Sequence, residues 1–278
     1  MTKKEYPWLE GAILDDHTKK KHSILSEYLR RYLITRCQLP QMDKFRVAIV
    51  DGFSGGGLYK CGGFGSPLIF ADVLVKTTKE INISRTSSGM KPIHIECLLV
   101  LNDSEINVIE LLKENISPFL AAAKDECKSL HIQPEFFNEP FDQAYPKIKQ
   151  RLLTAKCSNV FFNLDQCGYS HATSDIIRNI MSSWKSSEVL LTFMIESLLT
   201  YLSPSSLNSN VTLEKEVRTR IELLDKNENQ FSKREWLAQV EKIVYDHLKG
   251  CSTYVSPFSI NNPDGWRYWL MHFASNYR

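Results

Sequence analysis

Val47-Ala-Ile-Val-Asp-Gly-Phe-Ser-Gly-Gly-Gly-Leu-Tyr59 is an apolar run that breaks into glycines, and its reading decides the fold. Four consecutive apolar residues, Val47 to Val50, suit a strand buried on both faces, as in a parallel sheet. Seven of the twelve glycines fall between Gly52 and Gly65. Such density implies a loop whose backbone adopts unusual angles or is closely approached, so a ligand is expected against it. Asp51 closes the strand. A carboxylate beside the turn disfavours a phosphate cradle, and the P-loop lysine pattern is missing, so a neutral or cationic nucleoside-type ligand fits better than a nucleoside triphosphate.

Outward from this stretch, strands alternate with helices. Upstream, Thr18-Lys-Lys-Lys-His-Ser-Ile-Leu opens a helix with Ile24, Leu25, Tyr28, Leu29, Tyr32 and Leu33 on one face and Thr18 as its expected cap. Lys19, Lys20 and Lys21 at its start run against the helix dipole, as a solvated face or as neighbours of an acidic ligand. Downstream, Ser66-Pro67 reads as the cap and first turn of a helix through Val75, and residues 77–92 as a polar, exposed excursion. A second strand runs from Ile93 to Asp103. Asp103 lies 46 positions after Gly57; in dinucleotide folds a ribose-binding acid follows the glycines after about 20, and the excursion would account for the excess. Further strands are expected at residues 132–137, 159–165 and 188–194, with helices between them. The pattern predicts one α/β domain over residues 1–278: a doubly wound, mostly parallel, Rossmann-like sheet with ligand sites at the strand carboxyl ends. Residues 204–250, charged and helix-forming, read as a helical insertion or cap. Residues 252–260 and 266–275 read as a closing antiparallel pair at the edge.

Composition excludes rather than selects. A net charge of +2 does not demand nucleic acid. Seven cysteines without a C-x-x-C pair argue against a disulfide framework and for a reducing cytoplasm. No apolar run is long enough to span a bilayer, and no hydrophobic signal core is expected. His22, His94, His131, His171, His247 and His272 show no metal-ligand spacing, so no metal is assigned.

The glycine loop after the first strand, the acid after the second, the polar turn after the third and Asp165-Gln-Cys-Gly-Tyr169 after the fourth together resemble a class I S-adenosylmethionine-dependent methyltransferase fold. More narrowly, residues 18–25 with Tyr28-Leu29, then Val50-Asp-Gly-Phe-Ser-Gly-Gly-Gly-Leu-Tyr59, Gly65-Ser-Pro-Leu68 and Asp165 to Gly168 look like the three-Cys-motif partner protein family. That family more often carries an Ala-Gly-Pro-Gly-like turn and an Asp-Pro-Phe-Gly-like fourth motif, where this chain has Ser54-Gly-Gly-Gly57 and Asp165-Gln-Cys-Gly168.

The resemblance implies S-adenosylmethionine as cofactor and a separate three-cysteine-motif protein as partner. It implies methyl transfer to a nucleic acid or protein acceptor, or else a partner subunit that kept the fold and lost the chemistry. It further implies binding roles. Asp51, Gly52, Phe53, Gly55 and Gly57 would hold the donor's amino acid end, Asp103 its ribose, and Asn138 or Glu139 its adenine edge. Asp165 and Tyr169 would meet the acceptor, with Lys21 and His22 at the same mouth. Methyl transfer needs little beyond in-line positioning and acceptance of a released proton, so few catalytic residues are expected. Cys167 as a nucleophile would need a lowered thiol pKa, which no neighbour in sequence guarantees.

Overall fold

The computed structural model describes residues 7–166, 171–201, 214–225, 231–261 and 267–277. The elements run α1 (Asp16–Arg36), β1 (Lys44–Asp51), α2 (Ser66–Ser87), β2 (His94–Asn102), α3 (Ile106–Glu126), β3 (Leu130–Phe137), α4 (Phe141–Thr154), β4 (Asn159–Leu164), α5 (Ser174–Ser183), β5 (Ser186–Phe193), α6 (Ile195–Tyr201), α7 (Lys215–Asp225), α8 (Lys233–Lys249), β6 (Tyr254–Asn261) and β7 (Arg267–Ala274). The sheet has seven strands in the order β3-β2-β1-β4-β5-β7-β6. It is the α/β sheet, parallel over β1 to β4 with an antiparallel C-terminal edge, that the sequence led us to expect. The chain forms two compact units, Met1–Asn163 and Leu164–Arg278.

In the first unit β1 pairs in parallel with β2 and with β4, and β2 in parallel with β3. The register sets Asp51 opposite Leu101 and Asn163, and Asn102 opposite Phe137, so the carboxyl ends of four strands come level. Consecutive aromatics on β4 show that both faces are covered, because successive strand residues point to opposite sides. Phe161 stacks on Tyr28 of α1 at 5.8 Å and meets Phe70 of α2 edge-on at 6.2 Å, while Phe162 meets Tyr145 of α4 at 6.3 Å. Each such fully buried ring stabilises the fold by roughly 1.5–3 kcal/mol.

Three local expectations are corrected. The cap of α1 is Asp15, whose carboxylate accepts the Thr18 N–H at 2.8 Å. The helix therefore starts earlier, and Lys19 lies within it, paired with Asp16 of the first turn. The cap of α2 is Gly65, not Ser66.

Residues 77–87 are not an excursion but the second half of α2. Their polar side chains looked solvent-bound in sequence, yet several find buried partners. The Thr78 hydroxyl donates to the Leu74 carbonyl at 2.6 Å, and Asn82 exchanges hydrogen bonds with Ile93. Arg85, 2% exposed, donates to the carbonyls of Cys37, Leu39, Pro40, Met42 and Lys91. The long gap between glycines and Asp103 is a long helix.

In the second unit β5 is buried along its whole length and pairs antiparallel with β7, which pairs antiparallel with β6. Where it is described, the 204–250 stretch is helical. α8 opens with a capping box between Ser232 and Glu235. No described helix is long and apolar enough to cross a membrane.

Candidate functional site at the strand carboxyl ends

The loop after β1 is built onto its neighbours by backbone and amide hydrogen bonds. The Gly52 N–H donates to the Asn163 carbonyl at 3.0 Å, and the Asn163 side-chain amide donates to the buried Asp51 carboxylate at 3.1 Å. Ser54 gives both its N–H and its hydroxyl to the Asn102 carbonyl, at 2.9 and 3.0 Å. Asn115 of α3 donates to the Gly56 carbonyl at 2.8 Å, and the Gly65 N–H to the Gly57 carbonyl at 2.7 Å.

Asp103 stands beside this loop. One of its oxygens accepts the Gly55 N–H at 3.0 Å and the other accepts the Glu105 N–H at 3.1 Å. Burial pushes its carboxyl up from the ordinary value, against the pull of those backbone bonds. Asn138 donates its side-chain amide to the Asp103 carbonyl at 3.0 Å. The expected residues Asp51, Gly52, Gly55, Asp103 and Asn138 thus form one connected set. Phe53 packs on Phe141, ring centroids 5.4 Å apart. Gly57 serves packing, since a Cβ there would stand 2.7 Å from Leu112 and 2.9 Å from Leu68.

Two residues of this set escaped the sequence reading. Asn102, 1% exposed, donates through its side-chain amide to the Gly52 and Glu139 carbonyls, both at 3.0 Å, and so ties the loops after β1 and β3 to the end of β2. A polar residue ending the apolar run Leu98-Leu-Val-Leu101 was the available signal. The other is Trp8, which lies against Gly55 and Gly56. Gly55 has a φ of +59°, and a Cβ there would lie 2.5 Å from the indole Cε2. The close approach that the glycines foretold is, in this structure, an approach by the chain's own tryptophan.

Lys21 and His22 are half-buried on α1, and the His22 ring is 5.9 Å from that of Tyr59, at the far end of the glycine stretch. Asp165 is half-buried directly after β4. Next to it, the Gln166 side-chain oxygen accepts the N–H groups of His171 and Ala172, each at 3.0 Å. Tyr169 and Cys167 lie outside the described residues.

No family model matches the chain, and no curated protein does. Solved structures similar to it include a putative O-methyltransferase from Klebsiella pneumoniae (8% identity, 95% of this chain and 92% of that one, TM-score 0.35). A putative rRNA methylase from Clostridium thermocellum is similar at 9% identity, over 94% and 99% of the two chains, with a TM-score of 0.38. The O-methyltransferase TomG from Streptomyces achromogenes, solved in complex with SAM, is similar at 11% identity, over 95% and 92%, with a TM-score of 0.35. At these values the fold assignment rests on the strand order and not on the overlays.

Proposed function

We propose that this chain binds S-adenosylmethionine at the carboxyl ends of β1 to β3 and transfers its methyl group to a nucleic acid or protein acceptor. The observation that carries the reading is the hydrogen bond from the Gly55 N–H to Asp103, which ties the glycine loop to the acid after β2. The residues fit the donor. Each oxygen of a carboxylate has lone pairs for more than one hydrogen bond, so Asp103 can hold its two backbone amides and still accept from ribose hydroxyls. We assign the donor's amino acid end to Asp51 and the glycine backbone after it, and the adenine edge to Asn138, which stands beside Asp103. When bound, the donor supplies an electrophilic methyl group. The chain's residues need only orient it, exclude water and take up a proton, a role we assign to Asp165, with Tyr169 as a wall for the acceptor and Lys21 and His22 attracting an acidic one.

The motifs quoted above further support a place beside the three-Cys-motif partner proteins, with a separate three-cysteine-motif protein as partner. The six described cysteines are free, which supports a reducing, cytoplasmic setting. Burial raises the Cys37 thiol to about 12, and the Cys97 thiol also rises, so neither is a ready nucleophile.

A second reading, a binding subunit without methyl transfer, is favoured by the substituted motifs Ser54-Gly-Gly-Gly57 and Asp165-Gln-Cys-Gly168. Calorimetry with S-adenosylhomocysteine tests the site itself. Binding is expected, and Asp103→Ala should weaken it by roughly 1–3 kcal/mol, the scale of a hydrogen bond lost from a charged acceptor. Unchanged affinity would remove Asp103 from the site. A radiolabelled-methyl assay over nucleic acid, cell extract and the partner protein then separates the readings. Silence despite demonstrated donor binding would leave the binding subunit.

A further inference from the structure

The segment before α1 lies along the glycine loop as a strap. It begins with a turn in which the Glu10 N–H reaches the Pro7 carbonyl at 3.2 Å and the Gly11 N–H reaches the Trp8 carbonyl at 3.3 Å. It is then fastened to the outgoing arm of the loop. The Lys60 N–H donates to the Ala12 carbonyl at 3.0 Å, Ala12 is fully buried, and a Cβ on Gly63 would stand 2.7 Å from Leu14. Between the turn and this anchor sits Gly11, at a φ of +92° that other residues rarely adopt.

Trp8 therefore lies on the other side of a glycine hinge from the Ala12 anchor. Its indole spans the two bare α-carbons of Gly55 and Gly56, where a Cβ on Gly56 would meet its ring at 3.1 and 3.3 Å. Tyr59 flanks it with ring centroids 4.9 Å apart. Gly55 is among the residues assigned to the donor's amino acid end, so the indole covers backbone that the donor would use. Both cannot be there together.

We propose that Trp8 is an intramolecular latch on the donor site: the indole occupies the face of Gly55 and Gly56 that the donor needs, and binding swings it away about Gly11 while Ala12 stays anchored. This rests on the donor reading above. Such a latch lowers apparent affinity by the fraction of molecules in which it is closed, so loosening it tightens binding without any new contact.

The test is calorimetric titration of the full chain with S-adenosylhomocysteine in three forms: wild type, Trp8→Phe and Trp8→Ala. The expected order of affinity is Ala, then Phe, then wild type, with Trp8→Ala at least roughly fivefold tighter, on the scale where tenfold corresponds to about 1.4 kcal/mol. Wild-type emission should shift on titration, and that shift should vanish in Trp8→Phe; this readout serves even if Trp8→Ala does not fold. Equal or weaker binding by the folded variants makes the indole a wall of the site and overturns the latch. No binding by any form overturns the donor reading, and the latch with it.

Discussion

Asn102 has two side-chain donors and spends both on carbonyls of different loops, those of Gly52 and Glu139. Its own carbonyl meanwhile receives two bonds from Ser54. It sets the geometry in which Asp103, one residue on, reaches the Gly55 N–H. Asn102→Ala would leave the two carbonyls without their donor in a buried place, at a cost of about 1–3 kcal/mol. Asn102→Asp should cost more, because it removes the same donors and adds a buried charge. Urea denaturation checks both the size and the order, and an aspartate variant as stable as wild type would refute the donor role. In sequence, the acid and the glycines are legible because strand ends and turns punctuate the chain. Asn102 is not, since its value depends on which carbonyls the neighbouring loops present. Trp8 is silent for the same reason: nothing in a lone aromatic before a helix says which backbone it will cover.

Among the elements, the strands read through clearly. β1, β2, β4 and β5 carry continuous apolar runs, as strands covered on both faces must. The extension of α2 does not read through, because the signals of an exposed connector and of a helix with a buried polar face are the same residues. Arg85 decides the matter physically: its guanidinium gathers carbonyls from residues 37–42 and from Lys91, so the end of α2 anchors the connection between α1 and β1. Arg85→Met keeps the stem and loses every one of those bonds. The variant should lose about 3 kcal/mol or more of stability, a value reserved for broken buried networks. Trypsin should cut it at Lys76 or Lys79 under conditions that spare the wild type, whose sites there are held in an intact helix. Equal digestion of the two proteins would mean that the carbonyl cluster holds itself together without the arginine.

At the scale of the whole molecule, the proposed donor site belongs to the first unit, and the second unit carries its own polar clasp. Glu214, just before α7, accepts the Ser174 N–H at 2.8 Å and the Ser174 hydroxyl, and lies 2.9 Å from His247 Nε2 of α8. Glu216, Arg178 and Asp175 face the same cluster, with Glu216 3.4 Å from His247 Nδ1 and Arg178 paired to Asp175 at 2.9 Å. Cys251 closes it from below through the Ser174 carbonyl at 3.8 Å. Burial would raise the Glu214 carboxyl, but the bonds from His247 and Ser174 outweigh it and bring the group down to about 2 from 4.5. A carboxyl depressed in the folded state contributes stability that is complete above its unfolded value and disappears as pH falls through the folded one. The contribution of Glu214 should therefore be full above about pH 4.5 and gone near pH 2. With about a third of the side chain facing solvent (35%), it amounts to about 1–2 kcal/mol. Glu214→Gln isolates this group from the other carboxylates that titrate in the same range. Measured as urea midpoints, the gap between wild type and variant should be constant from pH 7 down to about 4.5 and should close by about pH 2. A gap that stays the same throughout would mean that the clasp is held by shape and neutral hydrogen bonds rather than by the charge on Glu214.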